Sequence, residues 1–210
     1  MWNRIFDVDN VVFRAIDTIG KIFILNLYWL VCSLPIVTIG ASTTALMYAG
    51  MKLHDKEGYV TSNFFHSFKE NFKQATAIWL LYLVAGALLA FDFVMGNQAG
   101  DTFGLCMQAI ALIIGIPYFI SMLYVFGVQS RFVNTVKDTI RYSFFMALRN
   151  MKYTIQMAIL FILLVWVNTT VLLANFLTLI YGFGLMGYFF AAYYKKAFGK
   201  YLNTDENVTE

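Results

Sequence analysis

The residues able to do chemistry in this chain are few and scattered. Gly182, Gly184 and Gly187 spell G-x-G-x-x-G in GFGLMG, the spacing with which a strand-to-helix turn cradles a dinucleotide pyrophosphate. That chemistry needs a strand before it, a helix after it and an acid about 20 residues on. The triplet sits instead inside the last apolar run, where small residues let membrane helices approach closely. Helix packing is therefore the expectation. Asp92 is the one acid embedded in an apolar run. At a bilayer centre it costs about 2.5–3.5 kcal/mol, and such residues mark ion or proton paths by default. It is 19 residues into its run, counting Gln74 as the first, so it is expected near an interface, where that cost shrinks. Asn168, with Asn26, Gln108 and Gln156, carries an amide at membrane depth. Such amides join helices at about 1 kcal/mol each, or line a pocket. Asp92 and Asn168 are the candidates for an intramembrane polar site.

Other reactive types lack partners in the sequence. His54 and His66 are twelve apart on one connector, without an H-E-x-x-H spacing or a cysteine cluster beside them. Cys32 and Cys106 fall in different apolar runs, where a thiol is inert. The N-T-T at Asn168 and N-V-T at Asn207 match a glycosylation sequon; the first lies at membrane depth and the second on a tail expected inside the cell. Walker loops, nucleophile elbows and paired carboxylates do not occur. The expectation is a chain that is not an enzyme, with no catalytic residues, no metal and no cofactor.

The elements that hold these residues follow from composition. Of 210 residues 60% are hydrophobic, 18% aromatic and only 13% charged, against about 25% charged in a soluble domain. That excludes an ordinary soluble fold, and the aromatic content excludes disorder. Uncharged runs cover residues 22–51, 74–91, 102–130 and 153–194. A helix rises about 1.5 Å per residue across about 30 Å of hydrocarbon, so the last run holds two spans that turn between Asn168 and Asn175. The N-terminus mixes Asp7, Asp9 and Asp17 with Arg4, Arg14 and Lys21, unlike the basic n-region of a signal peptide, and the chain is read as mature. Lysines and arginines group in four segments, and the connectors 97–101 and 168–175 have none. Basic loops stay cytoplasmic, which places both termini inside. Run 22–51 must then leave and return, with a break at Pro35 ahead of Thr38 and Gly40. Pro117 reads as a kink within a single crossing. The fold class is an all-α, polytopic transmembrane helical bundle of about six membrane helices, the second short or re-entrant. Five helices with the N-terminus outside is the alternative. It forms one domain, with hairpins at about 11–53, 74–130 and 153–194 and a flexible tail at 195–210.

The connectors 59–73 and 132–152 have the pattern of amphipathic elbow helices in the inner interface. Phe64, Phe68 and Phe72 are four apart, capped by Ser62 or Asn63, and Val133, Val136, Ile140, Phe144, Leu148 and Met151 form a second stripe. Asn71-Phe72-Lys73 and Asn150-Met151-Lys152 are similar steps 79 residues apart. With Trp2, Ile5, Phe6 and Phe13 as a third elbow, the chain would be three hairpin units of one orientation. Tyr193 and Tyr194 fit an aromatic belt. Phe68, Lys69, Phe72, Lys73, Arg149 and Lys152 are the candidate contacts for a partner or for lipid.

The stretch LNLYWLVCSLPIVTIGASTTALMYAGMKL (Leu25 to Leu53), followed by GYVTSNFFHSFKENFKQATAIWLLYL (Gly58 to Leu83), resembles the YesL-like family of bacterial integral membrane proteins, a domain of unknown function. Leu-Pro-x-x-Thr-x-Gly and Ser-Phe-Lys-x-Asn-Phe-Lys-Gln carry the resemblance. Many relatives have a proline after that glycine, where this chain has Ala41. The resemblance implies a bacterial cytoplasmic membrane protein linked to carbohydrate ABC transport. It carries no active site. The expected function is a non-enzymatic accessory component, with the bilayer and sugar ABC transporter subunits or another membrane protein as partners, and no nucleic acid. A small transporter or solute-binding protein with a broken-helix site at Pro35, Gly40 and Pro117 is the alternative.

Overall fold

The computed structural model describes residues 11–206. The helices are α1 (Val11–Cys32), α2 (Ile39–Asp55), α3 (Val60–Ala99), α4 (Thr102–Arg131), α5 (Val136–Arg149), α6 (Met151–Thr170), α7 (Leu172–Leu177) and α8 (Phe183–Glu206). A short 3-10 turn, Ile36–Thr38, precedes α2, and a π-helical turn, Thr178–Gly182, leads into α8. No strand occurs among the described residues. Five segments are long and apolar enough to cross a membrane: 13–32, 60–99, 102–131, 151–170 and 172–199. Helix α2, with 17 residues and about 25 Å of helix, is not among them and forms the shorter second arm of the first hairpin.

Each break has a local cause. Pro35 lacks a donor and disfavours helix at Leu34. The hydroxyl of Thr38 donates to the carbonyls of Cys32 (2.6 Å) and Pro35 (2.7 Å), pairing groups that the end of α1 leaves open. Gly100, at φ +66°, ends α3, and Asp101 caps α4 by accepting from the Gly104 amide at 2.8 Å. Thr135 caps α5, accepting from the Asp138 amide at 3.2 Å and donating to its carboxylate at 2.6 Å. Pro117 leaves no break, since α4 runs through it.

Two expected boundaries are different. Residues 59–73 are no separate elbow: α3 runs from Val60 for 40 residues. No glycine or proline lies between Gly58 and Gly86 to interrupt it, and Asn71 donates to the Ser67 carbonyl (3.0 Å) instead of breaking the helix. Tyr59 is the N-cap residue, and Asn63 donates to the Glu57 carbonyl (2.8 Å). Phe64 is fully buried against Tyr28 of α1, so the stripe begins in the bundle at Phe64 and reaches the surface only at Phe72. The tail also differs, because α8 continues to Glu206. Its predicted belt residue Tyr194 is in the core, 1% exposed. The elbow 132–152 does occur as α5, with Thr139, Ser143 and Ala147 turned to the bundle. Of the elbow expected at the N-terminus, Trp2, Ile5 and Phe6 lie outside the described residues, while Phe13 belongs to α1.

Three antiparallel hairpins, α1–α2, α3–α4 and α6–α8, point the same way. Trp29 Nε1 donates to Thr43 across the first, Tyr82 bonds Ser121 across the second, and Tyr153 meets Tyr193 across the third. The returning arms α2, α4 and α8 meet at the centre. Gly50 of α2 abuts Gly187 and Ala191 of α8, and Gly127 of α4 abuts the Tyr194 ring. The outgoing arms sit outside them: α1 against α2 and α8, α3 against α2 and α4, α6 against α4 and α8. At the start of each unit a polar side chain bonds the carbonyl four residues back: Thr18 to Arg14 (2.8 Å), Asn71 to Ser67 (3.0 Å) and Asn150 to Met146 (3.0 Å).

The hairpins differ in reach. Trp79 Nε1 donates to the Ile36 carbonyl in the α1–α2 turn (2.8 Å), and α3 continues for another twenty residues, about 30 Å of helix. Beyond that level α3 and α4 form a two-helix arm with exposed Leu88, Phe91, Leu105 and Ile113. Gly96 against Gly104 closes its tip. Every described lysine and arginine lies toward the opposite end, in the first part of α1, the end of α2, the first fourteen residues of α3, the end of α4, α5, the start of α6 and the later half of α8.

Candidate functional site: a central apolar cavity and a basic end

Where the three hairpins converge, a cavity of about 210 Å³ is left. Trp29, Leu46, Trp79, Phe126, Phe161 and Phe190, one residue from each of the six long arms, contribute to its wall. The polar atoms nearest it are engaged elsewhere. Trp29 Nε1 bonds Thr43 (3.1 Å), Trp79 Nε1 bonds the Ile36 carbonyl, and the Tyr194 hydroxyl bonds the Leu123 carbonyl. Trp29 is stacked on Phe183, ring centres 4.0 Å apart. An apolar void of this kind excludes water, which needs two to four polar partners.

Beneath it, toward the basic end, is a ladder of neutral polar groups. Gln129 Nε2 donates to Asn71 Oδ1 (2.9 Å), the Thr139 hydroxyl donates to Gln129 Oε1 (3.3 Å), and Ser143 donates to the Thr139 carbonyl (2.6 Å). Gln74 Nε2 donates to the Asn134 carbonyl. The ladder ties α3, α4 and α5 together with no buried charge in it, and paired amides and hydroxyls are the form in which buried polarity is tolerated. At the α5–α6 break the Thr154 hydroxyl donates to the Ala147 carbonyl (2.7 Å).

Two glycines of the triplet pack helices, while Gly182 lies against Thr178 of its own π turn. A Cβ on Gly184 would come within 2.5 Å of the Ile22 carbonyl oxygen, and one on Gly187 within 2.6 Å of Leu46. Beside it Asn26, fully buried, donates to the Leu179 carbonyl (2.7 Å) and accepts from the Gly184 amide (2.9 Å). That side chain clasps the π turn, whose backbone groups are displaced from regular helical pairing. Asn168 donates to the Leu164 carbonyl (2.7 Å) and Thr178 (3.0 Å), and Gln108 reaches Asn97 across the arm at 3.4 Å.

The expected site residues do not converge on one place. Asp92 is half-buried on the α3–α4 arm, seven residues before the end of α3, while the bonds of Asn168 stay within its own hairpin. Phe68 is half-buried between Phe64 and Phe72, and Lys69, Phe72 and Lys73 are exposed in the first third of α3. Arg149 and Lys152 are exposed at the α5–α6 junction. Pro35, Gly40 and Pro117 are also apart: Pro35 in the first turn, Gly40 against Ala75 and Trp79, Pro117 in a groove with Tyr82, Ser121, Ile140 and Phe144. His54 stacks on Tyr188, and His66 pairs with Glu70 at 3.2 Å. Among the described residues no three of His, Cys, Asp and Glu are grouped to hold a metal ion. The cavity itself is not legible in the sequence, because its wall takes aromatics from five helices and aliphatic residues such as Leu46 from α2, and no local spacing links them.

The model of a family described as "Protein of unknown function, DUF624" matches residues 22–93. That stretch covers the second half of α1, all of α2 and α3 to within six residues of its end. No curated protein and no solved structure matches the chain.

Proposed function

We propose that this chain, whose residues 22–93 match the DUF624 family of proteins of unknown function, is a non-enzymatic accessory protein of a bacterial cytoplasmic membrane, associated with carbohydrate ABC transport. It engages its partner through the basic end, which on the positive-inside rule faces the cytoplasm together with both termini. The observation that carries this reading is the gathering of every described lysine and arginine at one end of three co-oriented hairpins. Lys69, Lys73, Arg149 and Lys152 are exposed there. The buried polar groups beneath are amides and hydroxyls bonded to one another, which supports a structural use for them. Exposed basic residues at that level also attract anionic lipid, at about 1 kcal/mol each, so protein and lipid contacts share one surface.

The test is purification from native membranes in mild detergent. The reading expects a transporter subunit to copurify in fixed ratio and to be lost when Lys69, Lys73, Arg149 and Lys152 are all replaced by Ala. Recovery of the chain alone, where other transporter complexes in the same extract stay intact, counts against it.

A further inference from the structure

The central cavity is not sealed from the surface of the bundle. A groove of about 240 Å³ runs between α6 and α8, and it shares Leu164 and Met186 with the cavity wall. Its remaining lining includes Leu163, Leu185 and Phe189, each more than two-fifths exposed. These residues belong to two apolar segments long enough to cross a membrane, so the groove faces hydrocarbon. We propose that the cavity is a binding site for one acyl chain of a bilayer phospholipid, which enters laterally between α6 and α8 past Leu164 and Met186. The ligand class follows from the wall. The indole N–H groups of Trp29 and Trp79 and the hydroxyl of Tyr194 are already bonded to protein, so a polar solute would lose its hydration without replacement. A dry apolar cavity of about 150 Å³ takes benzene or xenon, and 210 Å³ admits the end of a longer chain. The source follows from the portal, which opens where acyl chains are the solvent. Met186, unbranched and adaptable, is the side chain that moves aside. This inference is independent of the transporter-accessory reading.

The test uses the full chain in dodecyl maltoside, with Trp2 and the exposed Trp166 replaced by Phe so that emission comes from Trp29 and Trp79. It is titrated with phosphatidylglycerol brominated at mid-chain, which quenches an indole on contact. The proposal expects saturable quenching at one lipid per chain. Met186→Phe, at the portal, should weaken it at least tenfold, and Ile159→Phe, at an exposed position of α6 outside the groove, should leave it unchanged. Quenching that rises with lipid mole fraction and never saturates overturns the proposal, as does a folded Met186→Phe variant that binds like the parent. Should that variant not fold, native mass spectrometry of the unaltered chain decides: one retained phospholipid supports the site, and none overturns it.

Discussion

Replacing Asn26 by Ala isolates the clasp that joins α1 to the π turn. In the folded chain Asn26 is wholly buried, with its amide donating to the Leu179 carbonyl at 2.7 Å and its oxygen accepting from the Gly184 amide at 2.9 Å. Truncation removes both bonds. Hydrogen bonds between membrane helices average about 0.6 kcal/mol and reach about 1.7, so two of them predict a loss of about 1–3 kcal/mol. For a chain of this size each kcal/mol lowers the melting temperature by about 2–4 °C, giving a fall of about 2–12 °C. The assay is thermal unfolding in detergent followed by tryptophan emission, since Trp29 stacks on Phe183 one turn from the clasp. Leu27→Ala, at an exposed position of the same helix, is the control. Gly184→Ala tests the same contact from the other side, because its Cβ would meet the Ile22 carbonyl oxygen at 2.5 Å. An Asn26→Ala variant within about 0.5 kcal/mol of the parent, the range of ordinary surface changes, would refute the reasoning.

Three further outcomes are expected. Gly127→Ala puts a methyl group within 2.6–2.8 Å of the Tyr194 ring and should cost about 1–3 kcal/mol by overpacking, whereas Gly115→Ala, with nothing within 4 Å, should be neutral; equal melting temperatures for the two would be the wrong result. Gln129→Leu unpairs Asn71 Oδ1 and the Thr139 hydroxyl at a cost of about 1–3 kcal/mol each, so amide hydrogen exchange across α5 should accelerate, and unchanged protection there would show that the ladder does not hold α5. In a background without Cys32 and Cys106, a cysteine at Lys56 should be shielded from an impermeant reagent added outside cells and one at Ala99 labelled; the opposite pattern would invert the topology.

The layout of the chain is largely legible in its sequence, because the determinants are local. A break at Pro35, a turn between Asn168 and Asn175, and basic residues withheld from two connectors depend on neighbouring residue types and on the length a bilayer demands. The amphipathic α5 follows from its own periodicity and a Thr135–Asp138 cap. The path of residues 59–73 is not legible in this way. Their aromatic stripe has the period of any half-buried helix, and only the presence of Tyr28 on one side shows that Phe64 is turned into the bundle rather than toward lipid. Tyr194 is similar: next to two lysines it has the sequence of a belt residue, but Gly127 on α4 leaves room for its ring in the core.

From the sequence alone came the class of the molecule, the sites of its turns and the single end that bears its positive charge, because hydropathy and charge act on each segment separately. What that charge distribution left open, the tertiary structure decided. Asn26 becomes a clasp only when α1 crosses a π turn 153 residues away. Gly184 and Gly187 become close contacts only against α1 and α2. The central cavity is walled by side chains of six helices that close around one axis. Pairings of that kind depend on distances between segments that no periodicity encodes.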